Sequence, residues 1–197
     1  SCHIKPHIEG FFARMGIQIM KINMGCGKRN FGPDWIHIDG GDYEHLDYHD
    51  ITKLELEDNP VDLIYSSHVV EYFSRDEVGY VLKEWSRVLK PGGTLRIAVP
   101  DFEAMSYLYS NGTYPLSSFL GPLYGKMPMG TQTIFHKTTY DFVSLKEVLE
   151  EAGLSGVKRY DWKHTEHSDV DDHSQAYLPH MDKESGTLLS LNVECVK

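Results

Sequence analysis

The 197-residue chain contains only three cysteines, no long apolar run and no concentration of basic residues. Cys2, Cys26 and Cys195 are odd in number and far apart, so neither a disulfide framework nor a zinc cluster is predicted, and a reducing compartment is expected. The longest apolar runs have strand length, and no positively charged leader precedes an apolar stretch. A membrane span is therefore excluded at this level and a cytoplasmic location is predicted. With 19 Lys and Arg against 29 Asp and Glu, the formal net charge is −10. That charge opposes a phosphate backbone and argues against nucleic acid as a general partner. Neutral or cationic small molecules and glycans remain as ligands. No repeat or low-complexity tract breaks the chain, and 41% hydrophobic with 24% charged residues is the composition of one ordinary domain.

The most informative stretch present is Met20 to Asp39, MKINMGCGKRNFGPDWIHID. An apolar strand runs into Gly25-Cys26-Gly27, and a second apolar strand ends on Asp39. Glycines at a strand tip let a ligand approach the backbone without an intervening Cβ, and a carboxylate at the neighbouring tip can accept both ribose hydroxyls. A nucleoside-containing cofactor is the expectation. A dinucleotide fingerprint calls for a third glycine at position 30, where Asn30 stands, which disfavours nicotinamide and flavin cofactors. A G-x-G turn on its own can also be a purely backbone feature.

Downstream, Tyr48 to Thr52 reads as a short strand end, and Val61 to Ser67 as a central parallel strand buried on both faces. A helix is predicted over Ser74 to Leu89, with Ser74 and Glu77 as a capping box, Phe73 and Val78 as its staple, and Lys90-Pro91-Gly92-Gly93 as its stop. Strand Thr94 to Pro100 follows. Residues 102–135 lose periodicity and collect Gly, Pro, Tyr and Met, as a lid or acceptor insertion would. A second helix is predicted with Ser144 and Glu147 as capping box, Val143 and Val148 as staple and Gly153 as stop. Two late strands flank a polar loop, residues 163–186. The order gives an α/β fold, a mostly parallel sheet with helices on both faces. Ligands in such sheets bind beyond the carboxyl ends of the strands, which puts Gly25 to Gly27, Asp39, Asp50, Ser66 to His68 and Asp101 on one rim. Residues 1–19 lack a clean period and are expected to be a linker, tag remnant or interdomain segment. A fusion to other domains, such as a glycosyltransferase, is compatible with that. Residues 20–197 are expected to form the single domain.

In order, KINMGCG, WIHID, VDLIYSSHVVEY, LKEWSRVLKPGG and LRIAVPD, then HKTTYDFVSLKEVLEEAG, resemble the class I S-adenosylmethionine-dependent methyltransferases, and more narrowly the small methyltransferases associated with polysaccharide biosynthesis. The resemblance implies a Rossmann-like, seven-stranded sheet with an antiparallel last strand and S-adenosylmethionine as cofactor, released as S-adenosylhomocysteine. It also implies the methionine part near Gly25, Cys26 and Gly27, the ribose on Asp39, and the adenine on Asp50 and the Ile51 backbone. On the same rim, Ser66 and His68 are further cofactor-binding candidates, His68 near where the transferred methyl should lie. Asn23 stands where many members carry an acidic residue, and can still hydrogen-bond the cofactor's amino group. Only Lys28 to Asp34 separate the glycine turn from Trp35, too few for a full crossover helix.

Methyl transfer from a sulfonium to a hydroxyl needs an in-line acceptor, a dry site and a base. His68 is a candidate base or a structural lid on the cofactor. His136 is a candidate for a catalytic or substrate role, or a loop histidine bonded to backbone. In the loop 163–186, His167 and Asp172 are candidates for acceptor binding and proton removal. Their Asp/His-rich surroundings match no standard zinc spacing, so no metal is assigned. Tyr107, Tyr109, Tyr114, Phe119 and Tyr124 are candidates for stacking on sugar rings. The sequence reading is a sugar O-methyltransferase acting on a glycan, a glycan precursor or another small molecule. The alternatives are methylation of a small metabolite or protein nitrogen, and a silent nucleotide-binding module.

Overall fold

The computed structural model describes residues 19–197, so the expected linker at 1–19 lies outside the described residues except for its last position. Six strands form the main sheet: β1 (Lys21–Met24), β2 (Trp35–Ile38), β3 (Val61–Ser67), β4 (Leu89–Pro100), β7 (Ser155–Arg159) and β10 (Ser190–Val196). Their order is β2-β1-β3-β4-β10-β7. β10 runs antiparallel to both neighbours, whereas β2, β1, β3 and β4 are parallel. The sheet is thus Rossmann-like, mostly parallel, with an antiparallel last strand. The implied seventh strand is reduced to one parallel bridge, Ile38 to Tyr48. The Asp50 side chain explains the early end: its Oδ1 accepts from the Thr52 amide and hydroxyl and the Lys53 amide, turning the chain out of the sheet direction.

One face of the sheet is apolar. Ile22, Met24, Ile36, Ile38, Ile64, Leu95, Ile97, Val99, Leu191 and Val193 lie there at alternate strand positions. Helices α1 (Val78–Val88) and α4 (Phe142–Glu151) cover it with Val81, Leu82, Trp85, Leu145 and Leu149. Trp85 is fully buried and its indole N–H donates to the Ile51 carbonyl at 2.7 Å, which ties the β2–β3 connection to the helix.

The local signals were partly misplaced. Glu77 accepts the Ser74 amide at 2.7 Å, but Ser74 does not return a side-chain bond, so half the expected capping box exists. The strand after α1 begins at Leu89, ahead of the Pro-Gly-Gly stop. In α4, Ser144 is the third helical residue, and the cap is Asp141, which accepts the Ser144 amide at 2.8 Å while Ser144 Oγ accepts the Asp141 amide. Val143 is exposed and cannot staple. Gly153 ends the helix at a φ of +86°, as its place predicted.

The second face carries Asn23, His37, Tyr65, Arg96, Asn192 and Glu194, and it is covered by the turns of residues 160–176 rather than by a helix. Asn192 Nδ2 donates to the Ser174 carbonyl, and Arg96 bonds Glu166 and Glu194. Helix α2 (Phe102–Ser110) caps the end of β4 and packs Met105 and Leu108 in a satellite cluster with Phe119 and Leu189. A short helix, α3 (Leu120–Tyr124), then leads into the hairpin β5 (Met127–Met129) and β6 (Gln132–Ile134), and a second small pair joins β8 (Tyr177–Leu178) to β9 (Thr187–Leu188). Among the described residues no helix is long and apolar enough to cross a membrane.

Candidate active site

The carboxyl ends of β1, β2 and β3 open into a cavity of about 970 Å³, lined by Gly25, Gly27, Asp39, Asp50, Ile51 and His68 on the sheet side. The β5–β6 hairpin, with Met127 and Met129, and the segment Phe135 to Lys137 form the facing wall. This volume is at the upper end of the usual range of about 300–1,000 Å³ for ligand sites.

The glycine turn is built as a cradle. Gly25 has a φ of +68°, and a Cβ there would come within 2.3 Å of Val69. Gly27 has a φ of +55° and open space where a Cβ would project. The Gly25 amide bonds the Ile38 carbonyl at 2.7 Å, locking the turn to β2. Asp39 is buried and accepts the Gly27 amide at 2.8 Å on one oxygen and the Gly41 amide at 2.7 Å on the other. A carboxylate offers about four lone-pair positions, so two remain for a diol. Asp50 spends one oxygen on its own turn, a bond that holds its carboxyl below the usual range. These groups fit the nucleoside of S-adenosylmethionine: a fixed carboxylate for the ribose hydroxyls and a glycine wall for close approach.

Five expected site residues lie outside the cavity lining. Cys26 lies in the turn, but its buried thiol points to His45 Nε2 at 3.7 Å, and burial pushes its pKa to about 12. Asn23 is buried and reaches the Arg29 carbonyl at 3.5 Å, outside the cavity lining. His167 and Asp172 belong to the second face. His167 stacks on Phe31 at 5.3 Å and packs on Tyr65 at 3.9 Å, and burial together with Arg96 lowers its pKa to about 4. Asp172 accepts the Tyr65 hydroxyl at 2.6 Å and the Ser174 amide at 2.8 Å. Both fasten the loop to the sheet, and only His173 and Ala176 of that loop reach the cavity. Ser66 is fully buried and its hydroxyl has no hydrogen-bond partner, while Ser67 lines the cavity in its place. The lid aromatics are displaced too: Phe119 is core, Tyr107, Tyr109 and Tyr124 are exposed, and Tyr114 packs on the satellite cluster.

His68 and His136 do converge. His68 adopts a φ of +54°, a left-handed conformation that costs a non-glycine residue energy. Its Nε2 is 3.1 Å from Ser190 Oγ, and Ser190 donates its own hydrogen to Asn192 Oδ1 at 2.9 Å. The serine oxygen must therefore accept, which assigns the His68 hydrogen to Nε2. His136 Nδ1 lies 2.9 Å from the Pro122 carbonyl, an acceptor only, so its hydrogen is on Nδ1 and Nε2 is the basic atom. Burial lowers the pKa of both rings, leaving them neutral near pH 7.

Sequence reasoning missed Arg29 and Tyr72 in the lining and Glu71 beneath it, while His173 of the Asp/His-rich loop does reach the cavity. The i,i+3 spacing of His68 and Glu71 on one turn was a readable signal for the last. Among the described residues no group of three His, Cys, Asp or Glu side chains is arranged to hold a metal.

Residues 20–97 match the model of a methyltransferase domain family. Demethylmenaquinone methyltransferase of Staphylococcus haemolyticus is 30% identical over 128 residues, which cover 58% of this chain and 49% of the relative. The chain therefore spans about half the length of that curated relative. An S-adenosylmethionine-dependent methyltransferase from Archaeoglobus fulgidus superposes with a TM-score of 0.56 at 16% identity, covering 91% of this chain and 86% of that one. The 1,6-didemethyltoxoflavin-N1-methyltransferase of Burkholderia thailandensis, solved with its substrate and S-adenosylhomocysteine, gives a TM-score of 0.51 at 14% identity, covering 98% and 77%. At such identities the structures speak for the fold, and the family match speaks for the residues that shape its cofactor end. Residues 20–97 thus resemble a methyltransferase domain, on a fold shared with solved S-adenosylmethionine-dependent methyltransferases, and the cradle of Gly25, Gly27 and Asp39 fits that cofactor.

Proposed function

We propose that the protein transfers a methyl group from S-adenosylmethionine to an oxygen atom, the acceptor being a hydroxyl of a sugar in a glycan or glycan precursor. One observation carries the reading: a single cavity joins the Gly25, Gly27 and Asp39 cradle to the two neutral histidines, His68 and His136. S-adenosylmethionine supplies an activated methyl on a sulfonium. Asp39 binds and orients the ribose, the glycine turn lets the cofactor lie against backbone, and the hairpin wall of Met127, Met129 and Phe135 excludes water. His136 Nε2 takes the acceptor proton, its ring held by the Pro122 carbonyl. Tyr72, Phe73 and Phe135 offer ring surfaces to a sugar where the lid tyrosines do not.

A second reading follows from the apolar character of that same wall. Two methionines and the 30% identity to a demethylmenaquinone methyltransferase favour an apolar ring as acceptor. Methyl transfer to a panel of hexose and deoxysugar glycosides, run beside a short-chain demethylmenaquinol, separates the two. Product only with the quinol overturns the sugar reading. No product with either, in a protein that binds the cofactor, leaves nitrogen acceptors or a silent module.

A further inference from the structure

Glu71 is fully buried, and neither of its carboxyl oxygens has a hydrogen-bond partner. It sits on a 3-10 turn, Val70–Tyr72, whose backbone is held by the amides of Lys137 and Thr138 donating to the Glu71 carbonyl at 2.8 and 3.2 Å. Those bonds bring the His136 segment against the turn that follows His68. Glu71 Oε1 is then 3.5 Å from His68 Nδ1 and 3.7 Å from His136 Nε2. Both of these ring nitrogens are the ones left without hydrogen by the partners of the opposite atoms. An unpartnered buried carboxyl is costly, and two unprotonated ring nitrogens within 4 Å of one ionised oxygen would repel it. A single proton placed between the three groups removes both difficulties.

We propose that Glu71 is a positioning residue that shares one proton with His68 and His136, and so sets the protonation state in which His136 accepts the proton of the substrate hydroxyl. The inference rests on the O-methyl reading for its catalytic use, although the shared proton itself does not. In the resting unit the carboxyl is protonated, in keeping with a pKa pushed by burial to about 8. Its proton lies toward the nearer histidine, 3.5 Å away, and His68 passes the polarity on through Nε2–H to Ser190, Asn192 and the Ser174 carbonyl. When the acceptor oxygen takes the methyl, the O–C bond forms as the S–C bond breaks and its electron pair returns to sulfur. The hydroxyl proton goes to His136 Nε2. The imidazolium then faces Glu71, which loses its own proton toward His68 and becomes the counter-ion. The three groups therefore titrate together rather than singly. Other groups with an electrostatic or ring contact to the unit are His173, Arg29, Tyr72 and Tyr140.

The test is an NMR pH titration of the cofactor-free protein, following the Glu71 side-chain carbon and the ring nitrogens of His68 and His136. Expected is one ionisation near pH 8 that moves the carboxyl and at least one ring together. In Glu71→Gln, which keeps shape without the acid, that step should vanish from the histidine signals. Its pH–rate profile for methyl transfer should lose the same limb, with kcat down tenfold or more and the affinity for S-adenosylmethionine within twofold, at about 1.4 kcal/mol per tenfold. A wild-type carboxyl that titrates near the ordinary glutamate value overturns the proposal without any variant. So do histidine titrations that are the same in Glu71→Gln as in wild type. Should both NMR results hold while no oxygen acceptor is found, the shared proton stands and the function reading fails.

Discussion

Gly125 and His136 are in a relationship that only one residue type permits: a Cβ on Gly125 would sit 2.5 Å from the His136 ring. Gly125 also has a φ of +55° and a ψ of 177°, a region closed to side-chain-bearing residues. The end of α3 thus packs against Cδ2 and Nε2 of the imidazole while the Pro122 carbonyl fixes its Nδ1 and the Tyr72 ring meets it edge-on at 4.6 Å.

Gly125→Ala is accordingly expected to displace His136. Methyl transfer should fall at least tenfold, about 1.4 kcal/mol in barrier height, while cofactor binding changes little. Steady-state kinetics beside calorimetric titration of S-adenosylhomocysteine would show the split. Equal losses in both would mean that the lid as a whole, rather than the imidazole, had moved.

Asp39→Ala removes the acceptor for two backbone amides and, in the proposed function, for the ribose. Loss of a charge-assisted pair of hydrogen bonds costs roughly 3 kcal/mol or more, so affinity for S-adenosylmethionine should drop on the order of a hundredfold. Asp39→Asn, which keeps the shape, should recover only part. Calorimetry on the folded variants reads both, and unchanged affinity in Asp39→Ala would remove Asp39 from the cofactor site.

For Asp172→Ala the expectation is a stability effect without a cofactor effect. Its carboxylate holds the Tyr65 hydroxyl at 2.6 Å beneath the 160–176 turns, and stranding that buried hydroxyl costs about 2–3 kcal/mol. Chemical denaturation should show the loss while S-adenosylhomocysteine binds as in wild type. A selective loss of methyl transfer with normal stability would return Asp172 to the acceptor site.

His167 makes stability depend on pH. Burial and Arg96 lower its folded pKa from 6.5 to about 4, so its contribution is complete above pH 6.5. It declines as the pH falls from there to about 4, because the unfolded chain takes up a proton that the folded one refuses. The full effect is on the order of 3 kcal/mol. Glu71, with its pKa raised from 4.5 to about 8, acts in the opposite sense, favouring the folded state less as the pH climbs through that window. Denaturation midpoints at pH 7 and pH 5 for wild type and His167→Gln isolate the histidine: the acid-side loss should be smaller in the variant. An identical slope in the two proteins would count against this assignment.

Much of the candidate cofactor end was legible because it is local. The tip of β1, the carboxylate ending β2 and the short 28–34 connection need only strand alternation and glycine stereochemistry to interpret, and Gly25, Gly27, Asp39, Asp50 and Ile51 all line the cavity. The helices showed through their apolar spacing, although the caps were misread. At α4 an Asp-x-x-Ser box at 141 and 144 competed with Ser-x-x-Glu at 144 and 147, and only folding shows which residue lies outside the helix.

By itself the sequence determined the order of the main strands and of the two helices that cover the sheet, its mostly parallel character and the glycine cradle beside Asp39, since each depends on periodicity or on backbone conformations that few residues adopt. The reversed last strand was implied by the family resemblance, and α2 and α3 lie in the stretch 102–135 that shows no period. Tertiary structure alone decided the rest of the site. A loop as rich in His and Asp as 163–186 looks equally suited to a rim or to a polar sheet face. Arg96, Tyr65 and Asn192 point out of that face with partners to be satisfied, and they draw Glu166, Asp172 and Ser174 onto it. His167 follows by stacking on Phe31, and the acceptor end of the cavity is left to His136 and the hairpin wall. Residues 65 positions apart, Glu71 and His136, meet because two backbone bonds pin one segment to the other, a pairing that no local pattern encodes.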